Sequence, residues 1–353
     1  MKRRLLKYLV CPACYEGLDL MTLAASASNE IVDGSHHCAR CRRTYPIARG
    51  VPRCLIDEAT VPPAIQRTRR SYTFAWARFG EREIREGWEK DSAQYLSLIP
   101  KALFGGPGGV VIDAGGGGGR DLLRVAETGV EIIGVDLSGG VESAHRATAQ
   151  LPNVHVVQAD VHRLPSRRGT FDAGYSLGVL HHLPGPRRGF EALAAVLKPG
   201  APLITYLYAD FSDRTFGERA VLRAIRAVRV VTSRLPAPVL LGLCWLAVPA
   251  VWTLFSGPAH FLRRWQPRLA ARLPFRHTLR WSVLASDLFD RFAPPMEWRY
   301  SRQTVVETYH GAGFERIETR QYRGWANGAF TRQDAAPGAA IGTRPDPAAR
   351  RRH

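Results

Sequence analysis

The sequence predicts an α/β fold with a doubly wound, mostly parallel sheet, preceded by a small metal-binding domain and interrupted by a helical insertion. Three observations carry this prediction. Strand and helix patterns alternate from Gly109 onward, as they do around a parallel sheet. Two Cys-x-x-Cys pairs stand near the N-terminus, and an uncharged apolar stretch at 235–255 breaks the alternation.

The composition permits a large core and indicates a basic surface. The chain has 353 residues, 45% of them hydrophobic, which is enough for one full α/β domain with appendages. A formal net charge of +18 favours nucleic acid or an anionic membrane as a partner, although a solvated arginine-rich face would give the same number. Lys7 interrupts an apolar run too short for a signal peptide, so we expect a cytoplasmic protein.

A glycine loop at residues 110–120 organises the sheet domain; its sequence is V-V-I-D-A-G-G-G-G-G-R. A short apolar strand ends at Asp113, and five glycines precede a helix that begins near Arg120. Glycines there permit positive φ angles and let a ligand approach the backbone N–H groups. The spacing fits neither the dinucleotide fingerprint nor the P-loop, because Gly-Arg-Asp follows the run and no glycine or alanine falls where the fingerprint requires its last one.

Other candidate site residues follow predicted strands. Asp136 ends the second strand about 20 residues past the loop, where an acid can accept the ribose hydroxyls of an adenosine ligand. Capping of the next helix is the alternative role for this residue. Asp160 ends the third strand, and the fourth strand ends near Ser176. A Val-Leu-His-His-Leu segment that contains His182 then approaches the sheet edge at which open α/β folds bind ligands.

These motifs resemble those of class I S-adenosylmethionine (SAM)-dependent methyltransferases, which have a Rossmann-like fold. Motif I is matched by acid-x-Gly-x-Gly-x-Gly, and the segment with the two histidines is similar to motif IV and its extension. The resemblance covers about residues 70–210 and 290–332. It implies that Asp160 binds the adenine amino group while its neighbour packs on the ring. The implied cofactor-binding set is Asp113, Gly115, Gly117, Gly119, Asp136, Leu137, Asp160, Val161 and Ser176.

The same resemblance suggests a general base and a cover for the cofactor. His182 matches the family position where a base can face the methyl group; orientation of the acceptor or a place in the pocket wall are the alternatives. The aromatic segment 71–79 resembles the lead-in of bacterial zinc-ribbon methyltransferases, in which Phe74 and Trp76 would cover the cofactor. Such a row of aromatic residues can also simply fill a core.

Cys11, Cys14, Cys38 and Cys41 have the spacing of two zinc knuckles. Two disulfides are the alternative, and nothing in the sequence indicates an oxidising compartment. Residues 5–56, with Tyr45-Pro46-Ile47 after the knuckles, resemble the zinc ribbon of the Trm112 family, whose members are attached to methyltransferases or act as their partners. We expect Zn²⁺ to be structural, because four protein ligands leave no open position for catalysis.

These patterns predict five segments. They are a zinc ribbon at 1–56, a linker at 57–70, a SAM-binding domain at 71–210 and 291–332, an apolar helical insertion at 211–290 and a disordered tail at 333–353. The ribbon is expected to be separable, so that loss of zinc would unfold it and leave SAM binding largely intact.

The insertion provides the sequence evidence on the chemical class of the methyl acceptor. Residues 235–255 carry no charge and have arginine clusters on both sides, so buried cap helices, a membrane-facing lid and a membrane span remain open. Three prolines and the two positive flanks argue against a span.

We expect a SAM-dependent methyltransferase that acts on a small-molecule or lipid-like acceptor, with peripheral contact to the inner membrane face through 235–255. The alternative is an RNA methyltransferase that docks through its ribbon and basic surface. The methylated atom and the oligomeric state stay open.

Overall fold

The computed structural model describes residues 1–26, 28–56, 61–86, 106–212, 215–270, 273–322 and 324–331. The tail predicted at 333–353 and part of the predicted linker, 57–60, lie outside these residues. The strands are β1 (Asp19–Ala25), β2 (Ile31–His37), β3 (Thr44–Ala48), β4 (Val51–Cys54), β5 (Val110–Ala114), β6 (Glu131–Asp136), β7 (Val154–Ala159), β8 (Ala173–Leu177), β9 (Pro202–Tyr208), β10 (Phe314–Tyr322) and β11 (Gly324–Thr331).

The α-helices in the described part of the chain are numbered in order. They are α1 (Pro63–Ala75), α2 (Glu81–Arg85), α3 (Arg120–Ala126), α4 (Gly140–Thr148), α5 (Pro186–Val196), α6 (Phe216–Thr232), α7 (Ala237–Val251), α8 (Gly257–Leu262), α9 (Pro267–Ala270), α10 (Trp281–Phe292) and α11 (Arg302–Gly311).

The predicted doubly wound sheet is confirmed. Strands β7, β6, β5, β8 and β9 lie side by side and are parallel, and the hairpin β10–β11 adds an antiparallel edge next to β9. Val111 and Ile112 of β5 are buried, as is every residue of β7, because helices cover both faces of a parallel sheet. The carboxyl ends of these strands share one edge, and the candidate site residues stand along it.

The zinc ribbon continues the same sheet. Strands β1 to β4 are antiparallel neighbours, and β4 then pairs in parallel with β7 through Arg53–Gln158 and Cys54–Ala159. Leu5 and Leu9 share a hydrophobic cluster with Ile112 and other core residues of the sheet domain. The last strand of the ribbon is therefore hydrogen-bonded to the domain that follows, and this pairing favours coupling of the two over the separable ribbon expected from the sequence.

The predicted linker is partly a helix. Residues 63–70 form the first turns of α1, which begins at Pro63 and continues through a π-helical turn, Trp76–Gly80. Proline fits the first turn of a helix because its fixed φ angle suits that position and its missing N–H would have no partner there. The prolines of this stretch thus start a helix rather than prevent one.

The insertion is helical, as predicted, and most of its longest helix is not buried. Helices α7 and α8 join through the π-helical turn Trp252–Ser256 into one helix, Ala237–Leu262, with Pro249 inside it. Within the described part of the chain, this is the one helix long and apolar enough to cross a membrane, and only 28% of its most apolar window is buried. Fully buried cap helices are therefore not what the structure contains. One side of α7 packs on α10, through Leu240 and Val248 among others.

Candidate functional site

The glycine loop is held in a conformation that glycine alone adopts readily. Gly115, Gly117 and Gly119 have φ angles of 98°, 50° and 91°. A Cβ atom at Gly115 would collide with Val179, and one at Gly117 would collide with the indole of Trp76. Glycine is therefore required at both positions, because the loop backbone packs directly against these two side chains.

The lead-in segment 71–79, at the end of α1, contacts several parts of the site. Trp76 lies against Gly117, Gly118 and Gly140, which is where a cover of the cofactor was predicted. Phe74 instead packs against Phe289 of α10, with ring centroids 5.8 Å apart. Thr73, which the sequence does not single out, accepts a hydrogen bond from the Gly139 N–H through its hydroxyl at 2.8 Å. Neighbouring residues of the lead-in thus contact the glycine loop, the insertion and the turn after β6.

Asp136 connects two backbone segments at the end of β6. Its Oδ2 accepts from the Gly117 N–H at 2.9 Å, and its Oδ1 accepts from the Ser138 N–H and hydroxyl at 2.7 and 2.6 Å. Burial raises the pKa of Asp136, and these donors partly offset the effect. The carboxylate therefore holds the glycine loop and the turn through Leu137 in register. Both lone pairs of Oδ1 are engaged by Ser138, whereas Oδ2 keeps a second lone pair for a ligand.

Asp160 and Val161 follow β7 at the same edge. Oδ1 of Asp160 accepts from the backbone N–H of His162 and contacts its Nδ1, both at 2.9 Å. Burial opposes ionisation of Asp160, but the contacts with His162 outweigh it, so the pKa of Asp160 lies below its ordinary value. The side chain is a charged acceptor, and the buried Val161 beside it is an apolar surface.

Asp113 and Ser176 are engaged with the protein itself. Asp113 is buried and interacts with the Tyr175 hydroxyl, and burial raises its pKa well above the ordinary value. Ser176 is fully buried, and its hydroxyl donates to the Ala114 carbonyl at 2.7 Å. These placements favour roles in shaping the end of β5 over direct contact with a ligand.

His182 lies beside the rings of two tyrosines. Its Nδ1 is 2.8 Å from the carbonyl of Met296, so this nitrogen carries the proton and Nε2 carries the lone pair. The rings of Tyr208 and Tyr72 lie 5.7 and 6.1 Å from its ring, measured between centroids. Burial lowers the pKa of His182, which keeps the imidazole neutral near pH 7. His181 is completely buried against Tyr208.

A buried charge cluster fixes the segment that holds His182. Glu297, next to Met296, is paired with Arg229 of α6 and with Arg299, both at 2.6 Å, and the three side chains are at most 10% exposed. Arg229 also donates to the Arg291 carbonyl at 2.9 Å. This cluster ties the insertion to the site, and no local pattern marks it in the sequence.

The four predicted metal ligands converge. The sulfur atoms of Cys11, Cys14, Cys38 and Cys41 lie within 4.8 Å of one another, and none of the four is in a disulfide. Two of the pairs are 3.5 and 3.4 Å apart. Tetrahedral zinc with Zn–S bonds of about 2.3 Å needs sulfurs about 3.8 Å apart, so this donor set fits Zn²⁺. The Tyr45 hydroxyl lies 3.2 Å from the Cys11 sulfur and can orient it.

A chain of hydrogen bonds, which the sequence analysis does not predict, connects the ribbon to the site. Arg53 of β4 donates to the side-chain oxygen of Gln158 at 3.1 Å and pairs with Glu142 of α4. The Gln158 amide donates to the carbonyls of Leu137 and Ser138 at 3.0 and 3.3 Å. These are the residues that follow Asp136, so the ribbon supports the turn that positions this carboxylate.

Two family models match the chain. Residues 112–205 match the methyltransferase domain model, and residues 2–50 match the model of Trm112p-like proteins. The chain joins a Trm112-like domain to a methyltransferase domain. The first match runs from β5 into β9 and includes the glycine loop and His182, and the second includes all four cysteines. The resemblance stated from the motifs is therefore confirmed.

Similar proteins match over parts of their length. An uncharacterized 37.1 kDa protein in a transposon of Streptomyces fradiae is 36% identical over 114 residues, which are 31% of this chain and 33% of that protein. A ubiquinone biosynthesis O-methyltransferase of Albidiferax ferrireducens is 29% identical over 130 residues, which are 36% and 49% of the two chains. This chain spans a quarter to a half of the length of such relatives.

Solved structures resemble the chain at low identity. The complex between the Haloferax volcanii Trm112 methyltransferase activator and a methyltransferase covers 75% of this chain and 99% of the compared chain. The two are 14% identical, with a TM-score of 0.45.

Proposed function

We propose that this protein transfers a methyl group from SAM to a small-molecule or lipid-like acceptor. Bound SAM supplies an electrophilic methyl group on a sulfonium centre, so the protein must orient the acceptor and take up its proton where it has one. The observation that carries the proposal is the meeting of the glycine loop, Asp136, Asp160 and His182 at the carboxyl edge of one parallel sheet.

The residues at this edge fit SAM. Gly115 and Gly117 have no side chain and so let a ligand approach the backbone, and Oδ2 of Asp136 has a lone pair left for a ribose hydroxyl. The charged Asp160 suits the adenine amino group, and Val161 offers the ring an apolar surface.

Asp136→Ala should weaken SAM binding by about 1–3 kcal/mol, because charge-assisted hydrogen bonds to the ligand and to the loop are lost together. Isothermal titration calorimetry measures the change. Asp19→Ala, on an exposed part of the ribbon, is the control and should leave the affinity as it is. An unaltered affinity of Asp136→Ala would mean that the ribose is held elsewhere.

His182 is proposed as the general base. Its Nδ1–H donates to the Met296 carbonyl, so Nε2 takes the acceptor proton, and burial keeps the ring neutral at physiological pH. Tyr72 and Tyr208 form the aromatic wall beside it and suit an acceptor with a flat or apolar body.

His182→Gln should lower kcat by about a hundredfold, the usual contribution of a general base. Because the pKa of His182 lies below its ordinary value of about 6.5, the wild-type rate should be flat at neutral pH and fall only on the acid side. The rate of the variant should not show this fall at acid pH, which we call the acid limb of the profile. His310→Gln, at an exposed position of α11, should keep both the rate and the limb. If His182→Gln kept nearly full turnover at every pH, His182 would not be the general base.

RNA is the alternative acceptor, favoured by the net charge of +18 and by the ribbon. Radioactive SAM added to a cell extract with the purified enzyme separates the two classes. Label that enters organic solvent or a low-mass fraction supports our proposal, and label released by nuclease supports RNA. Asp136→Ala supplies the background in both cases.

A further inference from the structure

Exposed apolar side chains follow one side of the long insertion helix, Ala237–Leu262. Val239, Leu243 and Leu246 recur every three or four residues and are exposed, Leu246 by 78%. Leu254 and Phe261 are exposed farther along the same helix. We call these five residues the apolar face. The other side of the helix is buried, so the helix is apolar all round while only one side is covered by protein.

Positive charge flanks this face at both ends. Residues 216–270 contain eight arginines and one acid, Glu218, and Arg229 among these arginines is buried and paired with Glu297. Arg234 precedes the helix, and Arg263, Arg264 and Arg268 follow it, all of them exposed. The exposed Trp265 stands among them, and tryptophan is the residue type that favours the boundary between lipid headgroups and acyl chains.

We propose that the apolar face docks this protein in the plane of an anionic phospholipid bilayer. The apolar side chains would enter the headgroup and acyl boundary, and the arginines at both ends of the helix would meet the lipid phosphates. Exposed apolar patches with a polar rim are typical of protein or membrane contact sites. A second copy of the chain is a poorer occupant, because a symmetric contact would bring two arginine-rich rims together.

The packing of the helix favours an in-plane arrangement over a span. Leu240, Leu241 and Val248 are buried against α10, which carries Asp287 and Asp290. A helix that crossed the bilayer would have to take these acids into hydrocarbon, at a high energetic cost. If the insertion helix lies in the plane of the interface, α10 remains on the side of the helix that faces away from the lipid.

The lead-in segment 71–79 lies between the insertion helix and the glycine loop. Its buried side shares a hydrophobic cluster with Ala75 and Phe79, and Phe74 packs against the same cluster. Trp76, within this segment, lies on the glycine loop. A membrane-soluble acceptor would thus arrive beside the lead-in; this consequence rests on the proposed function, whereas the docking itself does not.

Flotation with vesicles, in the absence of SAM and acceptor, tests the docking. The zinc-loaded full chain should bind vesicles of equal parts phosphatidylcholine and phosphatidylglycerol, and bind pure phosphatidylcholine far less. Leu246→Glu should weaken binding at least tenfold, because an exposed leucine is lost from the interface and a negative charge is added. Arg263→Gln and Arg264→Gln should each weaken it about fivefold. Leu23→Glu makes the same change at a leucine that is 72% exposed on the ribbon and should have no effect.

Three outcomes would overturn the proposal. The first is a wild-type chain that stays unbound on anionic vesicles, and the second is an equal reduction of binding by Leu23→Glu and Leu246→Glu. The third is that light scattering finds an oligomer which Leu246→Glu dissociates while vesicle binding persists, which would assign the face to a second copy. Circular dichroism of the variants checks their folding. Loss of methyl transfer with intact flotation would count against the proposed function alone.

Discussion

Chelation of zinc should weaken SAM binding at least tenfold. We expect zinc loss to unfold the ribbon, whose four cysteines converge, and β4 of that ribbon is hydrogen-bonded to β7. Arg53 on β4 supports Gln158, which in turn holds the carbonyls of the turn that follows Asp136. A tenfold change is about 1.4 kcal/mol, which lies within the usual range of coupling between two sites.

Calorimetric titration of SAM into protein with and without chelator measures this coupling. Cys38→Ser should reproduce the effect without chelator, and Arg53→Ala, which keeps the zinc, should give a smaller loss. Arg40→Ala removes only an exposed ribbon pair with Glu16 and serves as the control. If proteolysis found the ribbon unfolded while the SAM affinity stayed the same, the continuous sheet would have no energetic role at the site.

Local patterns predict the centre of this sheet well. Strands form at Val154–Ala159 and Pro202–Tyr208, where runs of apolar and β-branched residues between turn signals have few other stable forms. Asp136 is predicted from its place at the end of a parallel strand, whereas the roles of Asp160 and His182 are implied by the resemblance to class I methyltransferases.

Contacts between distant segments are harder to predict. Arg53 and Gln158 are 105 positions apart, and nothing in the residues near either one indicates a pairing. Tyr72 and Tyr208 belong to apolar patterns that a core would also produce, and their place beside His182 depends on how α1 crosses the sheet edge. The end of β9 was the one available signal for Tyr208, because ligands lie at such ends.

Glu297→Ala should lower the free energy of unfolding by about 3 kcal/mol or more. The carboxylate is paired with Arg229 and Arg299, and its removal leaves two buried guanidinium groups without their counter-charge. Burial disfavours the charged form of Glu297, but the two arginines outweigh it and lower its pKa. The stabilisation is therefore present above the ordinary glutamate pKa of about 4.3 and is lost as the pH falls through the lower value of the folded state.

Urea unfolding followed by circular dichroism at neutral and acid pH measures both parts of this prediction. The difference between wild type and Glu297→Ala should be largest at neutral pH and shrink in acid. Glu297→Gln, which keeps an acceptor and loses the charge, should fall between them. Glu307→Ala, at an exposed position of α11, should change stability by less than about 0.5 kcal/mol. Equal stability of Glu297→Ala and Glu307→Ala would mean that the cluster contributes nothing to holding the insertion on the site, whereas a large loss would identify Glu297 as the residue that anchors α6 next to His182.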